Sequence, residues 1–272
     1  MVAYLRRLRP LLAAVFAALA AAGGAAAEAR CPPPKPFRFE VEGVIRRSAT
    51  GFTQGLEFRD SALFESTGRT GGETRLNRIA TDGKVSVLAD QGDAVFGEGL
   101  TIVGDEVFQL TWQDHLVFVY DLSGKLLRKM HNPRLGWGLA SDGKRLFFTD
   151  GEGSLHVADP QTFKLLGEVP LRATGIEAPQ WLNELEYVDG KLYGNVWMTD
   201  VVVRVDPESG CLEGIADLSF LAESMSAADR KAIAASADNV LNGIARDPGS
   251  GRFYITGKRW PMIYAGRFRD AP

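Results

Sequence analysis

Glu98 is the one carboxylate in a set of residues that recur at matching places along the chain. The first place is held in turn by Gln54, Glu98, Trp137, Asn183 and Asn242. The second is held by Trp112, Trp197 and Lys258, with Gly68 and Gly151 at the remaining two. A single carboxyl beside aromatic side chains loses hydration, which is how an active-site acid gains a raised pKa. Carboxamides add paired donors and acceptors, and exposed Trp usually signals binding. Taken singly, each residue has a plainer reading. Trp112 or Trp197 packs between sheets, Glu98 is a solvated turn residue with Lys258 as its ion partner, and Asn183 and Asn242 form turns. Their convergence on one rim is what favours a site.

The elements that must position them are hairpins. Leu182-Asn183-Glu184-Leu185-Glu186-Tyr187, running on to Gly194-Asn195-Val196-Trp197, reads as a strand, a turn and a returning strand, which sets Asn183 beside Trp197. Four other stretches repeat the layout, with openings aligned at Gly55, Gly99, Gly138, Glu184 and Gly243. The spacings are 44, 39, 46 and 59 residues, and the first three fall near the period of four-stranded propeller blades. The fold expected is all-β, a five-bladed β-propeller over residues 38–270. Its last blade has only three strands of its own. The unpaired strand at residues 39–46 completes it, which closes the ring and removes an exposed edge. An open sandwich is the alternative; the even spacing weighs against it. The long last spacing holds one insertion, where Ser226-Ala227-Ala228-Asp229 resembles an N-cap with an acidic residue three positions on. A short helix over 227–237 is expected there.

Composition narrows the function classes. Lys and Arg number 31 against 34 Asp and Glu, so no basic excess points to nucleic acid. Arg6, Arg7 and Arg9, an apolar run over 11–22 and Ala25-Ala26-Ala27 form a signal peptide over residues 1–27. A Pro-rich arm over 28–37 follows. No later stretch is apolar and long enough for a membrane helix, so the chain is expected in the periplasm or secreted, free of the membrane once the signal is removed. The charged residues before Cys31 do not fit lipid attachment. Cys31 and Cys211 form one even pair, which in an oxidising compartment predicts a disulfide, with two free thiols as the alternative. His115, His131 and His156 lie off the aligned positions and lack zinc-site spacing. No metal or other cofactor is expected, although an ion held by carbonyls or carboxylates in the central channel stays compatible. A closed propeller needs no partner to cover its edges, so a monomer is the default.

The ordered words Phe52-Thr53-Gln54-Gly55-Leu56, Phe96-Gly97-Glu98-Gly99-Leu100-Thr101, Leu110-Thr111-Trp112, Trp137-Gly138-Leu139, Leu182-Asn183-Glu184-Leu185-Glu186-Tyr187, Asn195-Val196-Trp197, Leu241-Asn242-Gly243-Ile244 and Thr256-Gly257-Lys258-Arg259-Trp260-Pro261 resemble the plant and bacterial type of glutaminyl-peptide cyclotransferase. The resemblance covers residues 38–268. It implies a five-bladed propeller enzyme acting on peptides and proteins with N-terminal glutamine, cyclising that residue to pyroglutamate with release of ammonia. Under it, Glu98, Lys258 and Asn183 are the expected catalytic residues. Gln54, Phe52, Phe96, Trp112, Trp137, Trp197 and Asn242 are expected to bind substrate. Two other classes fit the same scaffold: a non-enzymatic periplasmic propeller that binds partners, and a lactonase-like hydrolase. The first tolerates loss of Glu98. The second ordinarily gathers several carboxylates, Asn or His around a metal ion, and one rim carboxylate is too few.

Overall fold

The computed structural model describes residues 31–68 and 74–271. The expected signal peptide lies outside them, as do the first residues of the Pro-rich arm. The protein is all-β, with strands in several sheets and two short helices. It opens with β1 (Lys35–Arg46), which starts within the arm expected to run to residue 37. Antiparallel meanders follow in chain order. The first is β2 (Thr53–Arg59), β3 (Ala62–Thr67), β4 (Thr74–Ala80) and β5 (Val85–Gly92). The second is β6 (Gly97–Val103), β7 (Glu106–Thr111), β8 (Leu116–Asp121) and β9 (Leu126–His131). The third is β10 (Leu139–Ser141), β11 (Leu146–Phe148), β12 (Ser154–Ala158) and β13 (Leu165–Pro170). The fourth is β14 (Leu182–Val188), β15 (Lys191–Val196), β16 (Val201–Val205) and β17 (Leu212–Asp217).

Helices α1 (Ser219–Glu223) and α2 (Ala227–Ile233) then lead into β18 (Leu241–Arg246), β19 (Phe253–Gly257) and β20 (Met262–Asp270). β1 pairs antiparallel with β20, from Phe37↔Asp270 to Arg46↔Met262, and is the fourth strand of this last meander. Its start also pairs in parallel with β17, at Lys35↔Gly214 and Pro36↔Ile215, so the last two meanders share one eight-stranded sheet. The Cys31–Cys211 disulfide ties the N-terminal arm to the residue preceding β17 across 180 positions of sequence.

The insertion differs from the single helix over 227–237. Ser226 does cap α2, accepting from the Asp229 backbone N–H. The helix stops at Ile233, because the exposed Ala234, Ala235 and Ala237 bury nothing that would extend it. Asn239 Nδ2 then donates to the Ile233 carbonyl at 3.0 Å. The preceding helix α1, with Leu221 buried, had no capping signature to announce it.

The inner strands are mostly buried and the outer ones are not. β3 is buried along its whole length, whereas β9 and β13 are mostly exposed. The first strands of the meanders abut in order, β2 on β6, β6 on β10, β10 on β14, β14 on β18, and β18 on β2. The contact is close. A Cβ at Gly55, Gly99 or Gly138 would collide with the backbone of the next meander, which is why these openings carry glycine. The fourth opening breaks the pattern with Glu184. Its buried carboxyl accepts from the Leu56 N–H at 3.0 Å and from the Ile244 N–H at 2.8 Å, joining β14 to β2 and β18. Burial raises its pKa well above the usual carboxylate value, against the pull of those two donors.

Glu184→Ala would strand both N–H groups. It is expected to cost about 2–5 kcal/mol of unfolding free energy by denaturant titration, with Glu184→Gln in between. A loss below about 0.5 kcal/mol would show that the carboxyl does not tie the first strands together.

Candidate active site

The aligned residues are aimed by a repeated backbone irregularity. The register of the first hairpin slips between Thr53 and Gly55, of the second between Gly97 and Leu100, of the fourth between Leu182 and Leu185, and of the fifth between Leu241 and Ile244. Gln54, Glu98, Asn183 and Asn242 each sit within such a bulge, which re-aims a side chain out of the strand's alternation. A second feature recurs beside it. The backbone N–H of Gly68, Trp112, Trp197 and Lys258 donates to the carbonyl of Phe52, Phe96, Trp181 and Val240, at 3.1, 2.9, 3.0 and 2.9 Å. Each hairpin therefore closes in the same way, two residues before its bulged residue.

The result is a cavity of about 390 Å³ lined by Phe52, Gln54, Phe96, Glu98, Trp112, Trp137, Asn183, Trp197, Asp238 and Lys258. That volume suits a small side chain and its backbone. The aromatic rings form two edge-to-face rows. Phe52, Phe96 and Trp112 follow one another at 6.2 and 5.7 Å, and Trp137 meets Trp197 at 5.7 Å. Gly151 belongs to this wall by what it lacks, since a Cβ there would come within 2.9 Å of the Trp137 indole.

Glu98 and Lys258 are almost fully withdrawn from solvent, at 4% and 2% exposure. Burial raises the Glu98 carboxyl to about 8, with the Lys258 charge pulling the other way. Burial lowers the Lys258 ammonium to about 8, opposed by Glu98 and by Asp238. The lysine Nζ lies 5.0 Å from the Phe52 ring centre and 6.0 Å from that of Trp197, so aromatic faces stabilise the cation. Glu98 Oε2 and Asn183 Oδ1 are buried without a hydrogen-bond partner among the described residues. Buried polar atoms are ordinarily satisfied, and two left open on one small cavity mark places for a ligand's donors.

Asn242 stands apart from the expectation that it binds substrate. It does not line the cavity and is fully buried, donating to the Thr53 carbonyl at 2.9 Å and to Gln54 Oε1 at 3.3 Å. It orients Gln54 and leaves that amide's Nε2 as its donor. Asp238 lines the cavity and holds no aligned position. It belongs to the insertion, which has no counterpart in the other meanders, so alignment of the repeats could not reveal it. Its acidic type, four residues before Asn242, was the available signal.

A larger hollow of about 630 Å³ lies between α2 and β1. Its two charged groups, Arg46 and Asp229, pair with each other at 2.9 Å, so it offers a ligand no open charge. Among the described residues no group of three or more His, Cys, Asp or Glu is placed to hold a metal ion.

An all-β scaffold carrying an aromatic-walled cavity with a buried acid and a buried lysine is the class these features define. The model of the glutamine cyclotransferase family matches residues 11–268. The glutaminyl-peptide cyclotransferase of Arabidopsis thaliana is 38% identical over 235 residues, spanning 85% of this chain and 72% of that relative. The crystal structure of Myxococcus xanthus glutaminyl cyclase aligns with a TM-score of 0.75 at 30% identity, covering 88% of this chain and 100% of that one. The chain belongs to the glutamine cyclotransferase family.

Glu98 links the site to stability. An unfolded chain ionises its carboxyl near 4.5, while the folded protein keeps it protonated up to about 8, so folding stability falls as pH rises across that window. Lys258 is charged in both states over most of the window. The unfolding free energy of Glu98→Gln is therefore expected to gain on the unsubstituted protein by on the order of 2–4 kcal/mol between about pH 5 and 8. A difference that stays flat with pH would place the Glu98 pKa at its ordinary value.

Proposed function

We propose that the cavity cyclises the N-terminal glutamine of peptides and proteins to pyroglutamate, with Glu98 as acid and base and without a metal. The observation that carries this reading is the buried Glu98 carboxyl, raised to about 8, with its Oε2 open to the cavity. A peptide α-amine has a pKa of about 7.7–8.0. The two groups match, so one proton moves between them at little cost in free energy. Glu98 takes that proton as the amine attacks the side-chain amide carbon. A C–N bond forms and closes the five-membered lactam. The bond from that carbon to the amide nitrogen breaks, and the proton leaves on ammonia. Lys258 stabilises the charge that builds on the amide oxygen. Asn183 Oδ1 accepts from the substrate's N–H groups, and Gln54 donates to a substrate carbonyl. Phe52, Phe96, Trp112, Trp137 and Trp197 fold the glutamine side chain toward its own amine and keep water off the reacting carbon.

The donor set supports the metal-free reading. The cavity holds one buried carboxyl, one rim carboxylate and no histidine, which is not a set that binds zinc. Five meanders whose first strands abut in a cycle, with β1 completing the fifth, support a five-bladed propeller over residues 38–270. A closed ring leaves no sheet edge that needs a partner, which supports a monomer. The disulfide is consistent with an extracellular compartment and supports a secreted or periplasmic protein whose first 27 residues are the signal.

Mass spectrometry of a peptide with N-terminal glutamine tests the activity. Loss of one ammonia is expected, undiminished by chelator, absent when the amine is acetylated, and slowed at least about 100-fold by Glu98→Gln. Near-normal turnover by a folded Glu98→Gln would remove Glu98 from the acid–base role. Loss of turnover in chelator would remove the metal-free mechanism.

A further inference from the structure

Trp181 occupies in the fourth meander the place that Phe52 and Phe96 occupy in the first and second. All three offer their carbonyl to the residue that closes the hairpin. Phe52 and Phe96 turn into the cavity. Trp181 turns away from it, is 52% exposed, and has a left-handed backbone with φ of 56°. That conformation is unfavourable for a bulky side chain, so an indole directed into solvent calls for an account. Trp181 nonetheless stays in contact with the cavity, its ring edge-to-face with Trp197 at 5.9 Å. On its other side is a separate hollow of about 360 Å³, lined by Glu177, Ala178, Gln180, Trp181 and Val196. One aromatic wall thus divides the two spaces. Glu177 and Gln180 are exposed, and no hydrogen bond or ion pair in the described structure engages the Glu177 carboxylate.

We propose that this hollow is a subsite for the side chain of the second or third residue of the substrate peptide, and that it selects lysine or arginine. The inference rests on the cyclisation reading above, because it takes the peptide to leave the cavity past Trp197. An extended chain advances about 3.3–3.6 Å per residue. With the rings of Trp197 and Trp181 5.9 Å apart, two or three residues carry it from one space to the other. The lining then dictates the chemistry. An indole face accepts an aliphatic stem and a cation above it, the Glu177 carboxylate pairs with the charge, and Gln180 supplies a neutral acceptor. An acidic side chain in the hollow meets the Glu177 carboxylate, and none of the residues that line it is a cation.

The test compares kcat/KM for peptides that begin with glutamine and differ only in residues two and three: lysine, alanine or glutamate. Glutamine amide, which has no downstream residue, serves as the reference. The unsubstituted protein is expected to favour lysine over glutamate by about five- to tenfold, with the ratio shrinking at high salt. Trp181→Ala and Glu177→Gln should each reduce the ratio to about twofold, and Glu177→Gln should turn over glutamine amide as before. Glu177→Lys should favour glutamate. Equal kcat/KM for all three peptides, or a ratio untouched by Glu177→Lys, would overturn the subsite while leaving cyclisation intact. Absence of turnover for every substrate would overturn both.

Discussion

Withdrawing one carboxyl and one ammonium from water into the same cavity is the constraint on which the rest of the structure turns. Each ion costs several kcal/mol to desolvate when it is not hydrogen-bonded in return. Glu98 and Lys258 meet that cost by shifting toward their neutral forms, and both arrive at about 8. A pair bonded directly to each other would hold the carboxyl low and the ammonium high. The aromatic spacing around Lys258 and the open oxygen of Glu98 keep the two groups in reach of a substrate instead.

The scaffold supplies this environment by repetition. A bulge in each of four hairpins turns a polar side chain off the strand, and abutting first strands bring those side chains close together. The close approach needs glycine at three openings, and the fourth uses the Glu184 carboxyl to satisfy backbone donors across the centre. Behind the cavity, Asn242 fixes Gln54. A second buried network holds the strand that bears it, with Glu65 accepting from Arg47, Thr53 and Asn77 at 2.6–2.9 Å. The fold and the site are in this sense one construction, because three of the four polar side chains that the bulges turn out, Gln54, Glu98 and Asn183, line the cavity.

Much of this was legible in the sequence because repetition converts spacing into position. Gln54, Glu98, Trp137 and Asn183 are dispersed in the chain, yet alignment of the hairpins sets them on one rim, and the cavity contains all four. What alignment cannot carry is burial. Asn242 holds an equivalent position and is spent behind the cavity, because its amide finds Gln54 and a carbonyl first. Alignment also fails where the chain inserts. Asp238 and α1 belong to a segment without counterparts, and the early end of α2 depends on what its exposed alanines fail to touch. Trp181 shows a further limit: its place matches Phe52 and Phe96, yet its backbone is left-handed and its ring does not line the cavity.

The central claim is that Glu98 shares one proton with the substrate amine because its pKa has been raised to match. Carbon-13 NMR of carboxyl-labelled protein, with the Glu98 resonance assigned by its loss in Glu98→Gln, measures that pKa directly. A midpoint near 8 is what the account requires. A midpoint near 4.5 would leave Glu98 ionised at neutral pH, unmatched to the amine, and would contradict it.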